Sequence, residues 1–284
     1  MLQELILIHK NHHGKASDKW IHNLLAYQKI FSEFRSKKIN LLEIGIQNGG
    51  SLDVWAEYFY KANLLVGCDI DPLVKKLVYT QEKIKVVVGD VNSDEVFQNI
   101  KTLADQFDII IDDGSHTSKD IVTSFFKYFP LLKEGGVYVV EDLHASYWSV
   151  FGGGLFSPIS AISFFKKMVD VVNKEHWGVP RTMQWFFRLF SVNYNISFEE
   201  NLLDSVYSVE FLNSMCVIRK TAPAQVRLNE RCVSGEDFSV NQEVIEMHRG
   251  SCYVPTQSSN VWSNSPNLPE EELILCKREL EKGK

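Results

Sequence analysis

Five short, largely apolar runs, each followed by a turn and a helical pattern, constrain this chain more than any other feature. They lie at 39–44, 64–68, 84–88, 108–111 and 137–140. Runs of this length, continuous rather than alternating, are expected of strands buried on both faces. Between them stand helical patterns: Leu52, Trp55, Ala56 and Phe59; then Val96, Ile100 and Leu103 behind a capping Ser93; then 118–129. Strands that alternate with helices build βαβ units and a parallel sheet. Two later runs, 206–211 and 215–218, are joined by Leu-Asn-Ser and read as a β-hairpin. The expected fold class is therefore α/β, a Rossmann-like seven-stranded sheet. It is parallel except for a terminal antiparallel hairpin, with helices on both faces.

In such a sheet ligands bind outside the carboxyl ends of the strands. The first run contains Glu43 and enters Gly45-x-x-x-Gly49-Gly50-Ser51. Strand, glycine turn and helix present backbone N–H groups and a positive helix end to a ligand. The spacing is neither the dinucleotide G-x-G-x-x-G nor a P-loop. Glu43 also stands where a diphosphate would have to approach, which disfavours NAD. Asp69 ends the second run, where an acidic residue accepts hydrogen bonds from ribose hydroxyls. Asp71, directly before Pro72, reads instead as a helix cap. Asp90, after the third run, suits either an adenine amino group or a turn. The fourth and fifth runs each end in an acidic pair: Asp112-Asp113 with His116 close behind, and Glu141-Asp142 with His144. One such pair is commonly a cap or a turn. Two pairs at neighbouring strand ends repel unless a cation sits among them or one takes a proton, and an oxygen cluster suits a hard ion such as Mg²⁺.

The flanks are read as follows. Ser17-Asp18-Lys19 precedes the stripe Trp20, Ile21, Leu24, Leu25, Tyr27, Phe31 and Phe34, which predicts a helix capped by Ser17 or Asp18 and lying as a lid or flank at the sheet edge. The run 131–136, Leu-Leu-Lys-Glu-Gly-Gly, reads as a helix stop and turn. The aromatic, glycine-rich loop after Asp142 hangs where a substrate lid would hang. Its Tyr147 and Trp148 are candidate substrate-stacking residues, although such aromatics are more often core. A helix is expected at 160–172. The aromatic stretch 176–190 is expected to be part helical, lining a cleft or an oligomer contact. The layout is an N-terminal helical segment (1–38), a ligand-binding domain (39–220) with a loop and helical insertion at about 143–200, and a C-terminal extension (221–284) with a charged helix at 270–281.

Composition narrows the partners. Hydrophobic residues at 45% and charged residues at 23% are those of a globular protein. A net charge of −6 without a Lys/Arg run gives no indication of a nucleic-acid or anionic-membrane partner. The five cysteines form no C-x-x-C pair, and no run is long enough for a signal peptide or a bilayer span, so the expected location is a reducing cytoplasm. The aromatic middle and long tail are compatible with a homo-oligomer.

Glu-x-Gly-x-x-x-Gly after the first strand, an acid after the second and a terminal hairpin together resemble class I S-adenosylmethionine-dependent methyltransferases. More narrowly, DDGSH followed by VVEDLHASYW resembles the metal-dependent sugar O-methyltransferases of macrolide biosynthesis, of the mycinamicin and macrocin type. The resemblance covers about residues 15–220. It implies S-adenosyl-L-methionine held by Gly45, Gly49 and Ser51 with Asp69, Asp90 and Asp112, and with Glu43 and Ser17 nearby, since Ser-Asp-Lys resembles a Thr-Asp-Lys element that contacts cofactor. It implies Mg²⁺, or another hard divalent cation, on Asp113, Glu141 and Asp142. His116 is the implied base for a sugar hydroxyl. His144 is a second candidate, with a structural or substrate-contacting role. The family's His-x-Tyr spacing is absent, His22 being followed by Asn-Leu-Leu. The implied acceptor is a sugar or a glycosylated small molecule. A catechol-like or polyketide hydroxyl is the alternative acceptor, and an NAD-dependent oxidoreductase or a non-catalytic Rossmann-like binding protein are the readings from other classes. Which of Asp112 and Asp113 faces the cofactor depends on where the strand ends.

Overall fold

A computed structural model describes residues 4–229, 232–240, 254–260 and 263. Two helices open the chain, α1 (Leu5–Lys10) and α2 (Ile21–Ile30). The alternating part follows: β1 (Asn40–Ile44), α3 (Gly50–Tyr58), β2 (Leu64–Asp69), β3 (Ile84–Val88), α4 (Asp94–Leu103), β4 (Phe107–Asp112), α5 (Ser118–Tyr128) and β5 (Leu132–Val140). Then come α6 (Ala161–Val172), α7 (Met183–Phe186), α8 (Arg188–Tyr194), the hairpin β6 (Val206–Leu212) and β7 (Met215–Lys220), and the short α9 (Pro223–Val226). The sheet order is β3-β2-β1-β4-β5-β7-β6. The first five strands pair in parallel, and β7 runs antiparallel to both β5 and β6. The strand order reverses between β1 and β4, which is where a crevice opens in an open α/β sheet.

Alternation along each strand separates two cores. Leu41, Ile109, Ile111, Val137 and Val139 pack on Leu24, Tyr27, Phe31, Trp55 and Phe59 from α2 and α3. Their neighbours Leu42, Ile110, Tyr138 and Val140 pack on the opposite side, with Ile100, Phe125, Phe164 and Phe190 from α4, α5, α6 and α8. Both faces are thus apolar, which is why the strands read as continuous runs.

Several expectations are corrected. The first predicted helix starts late: Trp20 is its N-cap and makes no side-chain cap bond, so neither Ser17 nor Asp18 caps it. It covers a sheet face rather than an edge, and only part of its stripe is core, because Trp20, Ile21 and Leu25 are exposed. Residues 132–136 belong to β5 instead of a turn; Phe107 pairs with Leu132, and a register irregularity precedes the pairing of Ile109 with Val137. After β2 there is only a 3-10 turn, Pro72–Lys76, which Asp71 caps by accepting from Leu73 N–H. The aromatic stretch 176–190 is part helical, as expected; within it Met183, Phe187, Leu189 and Phe190 are buried, the two phenylalanines against α5 and α6. Ser93 and Ser160 cap α4 and α6. The helix expected at 270–281 lies outside the described residues. Among the described residues no helix is long and apolar enough to cross a membrane.

Candidate active site

The register explains how the acidic residues divide. Glu43 pairs with Ile111, and Ile111 with Val139. Side chains repeat their face every second residue. Asp113 and Glu141, two residues beyond Ile111 and Val139, therefore lie on Glu43's side of the sheet, the side covered by α2 and α3. Three carboxylates, with Glu43 and Glu141 buried, cannot gather there without a counter-charge. Lys19 supplies it. Its ammonium lies 2.5 Å from Asp113 Oδ2, 2.7 Å from Glu141 Oε1 and 3.4 Å from Glu43 Oε1. Burial alone would lower the Lys19 pKa, but Glu141, Asp113 and Glu43 outweigh it and hold the ammonium well above the usual lysine value. Burial raises the pKa of Asp113 and of Glu43, with Lys19 opposing in both cases.

Further donors reach Glu141 and one oxygen of Glu43, while Glu43 Oε1 is buried with no hydrogen bond. Tyr27 donates its hydroxyl to Glu141 Oε1 at 2.5 Å, and Asn23 Nδ2 donates to Oε2 at 2.9 Å. Ser51 Oγ and Trp55 Nε1 both donate to Glu43 Oε2, at 2.7 and 3.1 Å. Lys19, Asn23 and Tyr27, which bond this cluster, are positions that reading the sequence as an apolar stripe passes over. The available signal was the charge imbalance: buried acids at three strand ends require a cation from elsewhere in the chain.

Asp112 faces the other way, as alternation demands. It is buried and accepts from the Tyr138 hydroxyl at 3.3 Å. Burial pushes its carboxyl up to about 7, against the hydrogen bonds from the Gly114 backbone and Tyr138. A folded-state pKa above the ordinary carboxylate value means that the folded protein holds the proton more tightly. The associated stability is complete below the ordinary carboxylate range and is lost as pH rises toward about 7. Asp112→Asn is therefore expected to be more stable than the parent at about pH 8, by on the order of a few kcal/mol, and to show a flatter stability profile between about pH 4 and pH 7. Urea unfolding across that range checks it; an unchanged slope would refute the assignment.

A cleft with a volume of about 360 Å³ opens at the carboxyl ends of β1, β2 and β4. Ser17, Gly45, Ser51, Asp69, Asp90 and Asp112, all expected to contact cofactor, line it. Glu43 and Gly49 do not line it. Glu43 is sealed beneath Ser51, and Gly49, at φ +77°, shapes the turn while its carbonyl accepts from the Tyr79 hydroxyl. Asp69 does more than end a strand: its Oδ2 accepts from the N–H groups of Ile46 and Gln47, and its Oδ1 from Asp71 N–H. Asp90 Oδ1 accepts from Asn92 N–H, which is the turn alternative, and Asp90 still faces the cleft. The wall opposite is the extended segment 16–19, tied to the start of α3 by Gly50 N–H donating to the Ala16 carbonyl.

Asp113, His116 and Asp142 also line this cleft. Their possible ligand atoms lie within 4.8 Å of one another. His116 (φ +57°) and Asp142 (φ +52°) both hold left-handed backbone, a strained conformation for such residues that recurs at functional sites. Asp142 Oδ1 is buried with no hydrogen-bond partner, and Oδ2 lies 3.9 Å from His116 Nε2. Two carboxylates with an orphaned oxygen fit a hard divalent cation. Glu141, the third expected ligand, is not in this trio; its oxygens accept from Lys19, Tyr27 and Asn23. His144 is held by Ser214 at 2.5 Å on its Nδ1 and packs edge-on against Trp148. Trp148 and Phe151 continue this wall toward His116. Tyr147 and Trp148 are both partly exposed.

This arrangement, a glycine turn, an acid after β2 and an acid–histidine cluster at the switch point, can be set beside known proteins. Residues 42–143 match the family model described as a methyltransferase domain. Among curated relatives, the 8-demethyl-8-alpha-L-rhamnosyl tetracenomycin-C 2'-O-methyltransferase of Streptomyces olivaceus is 38% identical over 56% of this chain and 43% of its own length. The demethylmacrocin O-methyltransferase of Streptomyces fradiae is 36% identical over 54% of this chain and 40% of its own. The matched part thus spans less than half of either relative. A solved structure of the MycE methyltransferase from the mycinamycin biosynthetic pathway, in complex with Mg and SAH, shares the methyltransferase fold. Its TM-score is 0.63 at 24% identity, over 78% of this chain and 55% of that one.

Proposed function

We propose that this chain is an S-adenosylmethionine-dependent O-methyltransferase whose acceptor is a hydroxyl of a sugar carried on a small molecule, assisted by a hard divalent cation. The observation that carries this reading is the shared cleft. The ribose-type acid Asp69 lines the same cavity as Asp113, His116 and Asp142, so a nucleoside held on the β1–β2 side places its reactive end beside the acid–histidine cluster. The names of the relatives, several of them sugar O-methyltransferases, support the acceptor class.

The cofactor, when bound, supplies a methyl group activated as a sulfonium. A hard divalent cation, when bound by Asp113 and Asp142, supplies positive charge near the acceptor oxygen. The rest falls to the chain. Methyl transfer is an in-line displacement that needs the acceptor oxygen about 3 Å from the methyl carbon. A sugar hydroxyl must lose its proton as it attacks. Burial lowers the pKa of His116, against Asp142 and Glu141, which raise it. Its imidazole is therefore neutral near pH 7 and free to accept that proton. Trp148 and Phe151 offer an apolar wall beside the imidazole, suited to the face of a sugar ring.

Titration calorimetry with S-adenosylhomocysteine and with NAD tests the cofactor. Transfer assays on glycosylated polyketides, free polyketides and catechols, with and without EDTA, test the acceptor and the ion. The expected result is binding of S-adenosylhomocysteine and transfer to a glycoside that EDTA abolishes and Mg²⁺ restores. Binding of NAD alone would refute the reading, and transfer confined to sugar-free acceptors would replace the acceptor class.

A further inference from the structure

We infer that Lys15 is a positioning residue that latches the segment 11–18 across the cofactor cleft, so that cofactor enters and leaves only when the Lys15 contacts to Asp53 and Tyr79 open. This rests on the S-adenosylmethionine reading given above.

The segment runs between two buried anchors, Ile8 in α1 and the side chain of Lys19, yet none of residues 11–18 is buried. Apolar packing therefore does not hold it, and a stretch of that kind opens at low cost. Ala16, Ser17 and Asp18 nevertheless form one wall of the cleft. What keeps them there is a small set of polar contacts at the start of α3. Lys15 Nζ lies 3.0 Å from Asp53 Oδ2 and 3.9 Å from the centre of the Tyr79 ring, an ion pair and a cation–π contact on one ammonium. Gly50 N–H donates to the Ala16 carbonyl at 3.1 Å, and the Tyr79 hydroxyl donates to the Gly49 carbonyl at 2.9 Å. His12 Nε2 lies 2.8 Å from the Lys15 carbonyl oxygen, and His9 Nε2 3.2 Å from Ser17 Oγ. The two adjacent glycines are the seat of this latch. A Cβ on Gly50 would lie 2.1 Å from the Lys15 carbonyl oxygen and 2.4 Å from that of Ala16, and one on Gly49 would lie 2.2 Å from the Tyr79 hydroxyl. Neither glycine lines the cleft. Their missing side chains make room for the protein's own strap and for Tyr79 rather than for a ligand. The latch thus joins three pieces: the segment before α2, the first turn of α3, and the connection between β2 and β3. The side chains of Lys15 and Asp53 are 25% and 24% exposed, so water and salt reach the pair, and the fastening is weak enough to open at each exchange.

Association and dissociation rates of S-adenosylhomocysteine on the immobilised full chain test the latch. Lys15→Met is expected to raise both rates by about five- to thirtyfold while the dissociation constant stays within about threefold of the parent, because the latch closes over the empty and the filled cleft alike. Asp53→Asn removes the same ion pair from the α3 side and should raise both rates by a smaller factor; it also carries the test if Lys15→Met does not fold by far-UV circular dichroism. The double variant should add nothing beyond Lys15→Met. Lys15→Arg, which keeps the charge and the ring contact, should stay near the parent. S-adenosylhomocysteine has no net charge near neutral pH, so salt acts through the protein. Raising NaCl from about 0.05 to about 0.5 M should speed both steps in the parent and leave Lys15→Met unaffected. Any other pattern, in particular faster dissociation with unchanged association or no change in either rate, overturns the latch while leaving the cofactor reading intact. Failure of the parent to bind S-adenosylhomocysteine overturns the cofactor reading and the latch with it.

Discussion

His116→Ala is expected to lower turnover by about 10²- to 10⁴-fold, the usual worth of a positioned general base, while leaving the affinity for S-adenosylhomocysteine within a few-fold of the parent. The separation follows from the geometry. The groups that shape the nucleoside end of the cleft are Asp69 and the Gly45 turn, which make their hydrogen bonds without His116. The imidazole sits on the Asp142 side, facing Phe151. A base loses activity as pH falls through its pKa, and burial lowers that of His116. The parent should therefore show a rising limb of kcat/KM below neutral pH, and the alanine variant should lack it. Retained turnover with an unchanged pH profile would remove His116 from the mechanism and shift attention to His144, whose Nδ1 is already bonded to Ser214.

Gly45→Ala is expected to destabilise the protein by more than about 3 kcal/mol, a loss visible in urea unfolding. Gly45 holds φ +83°, which costs a residue with a side chain about 1–2 kcal/mol by itself. The larger contribution is steric. An added Cβ would lie 2.1 Å from the Asp113 carbonyl oxygen and 2.6 Å from its carbon. These are backbone atoms of the β4 end, and they cannot rotate away. Either β1 and β4 part at the switch point or Asp113 moves, which carries its carboxylate off Lys19. Gly135→Ala is the control. Gly135 holds a similar φ of +77° with open space around it, so only the conformational cost of about 1–2 kcal/mol is expected. Equal losses at both positions would mean that close approach of β1 and β4 is not what Gly45 secures.

The sheet was legible because its physics is local. A strand covered on both sides must be apolar at every position, and that leaves a continuous run that can be read without knowing what covers it. The acidic strand ends were legible for a related reason: polar residues that abruptly close such runs must sit at the sheet's rim, where ligands bind. The β5 boundary was misread because Lys133, Glu134 and two glycines carry turn chemistry; they fall at the register irregularity between the Phe107–Leu132 and Ile109–Val137 pairs, inside a strand that begins before them. The start of α2 was misread because Ser17 and Asp18 look like caps, whereas that segment is held extended beside the cleft by tertiary bonds.

What the sequence alone determined is the order of strands and helices, the glycine turn and the acids, with their histidines, at the carboxyl ends. It also implied that those acids need a cation. Only the tertiary structure decided how they divide. Register sends Asp112 to one face and Asp113, with Glu43 and Glu141, to the other. A lysine 94 residues from Asp113 and 122 from Glu141 arrives to neutralise that second set, while Asp142 lies between His116 and His144 with its Oδ1 free of hydrogen bonds. Pairing between charges so distant along the chain is set by packing of α2 on the sheet, and no local pattern encodes it.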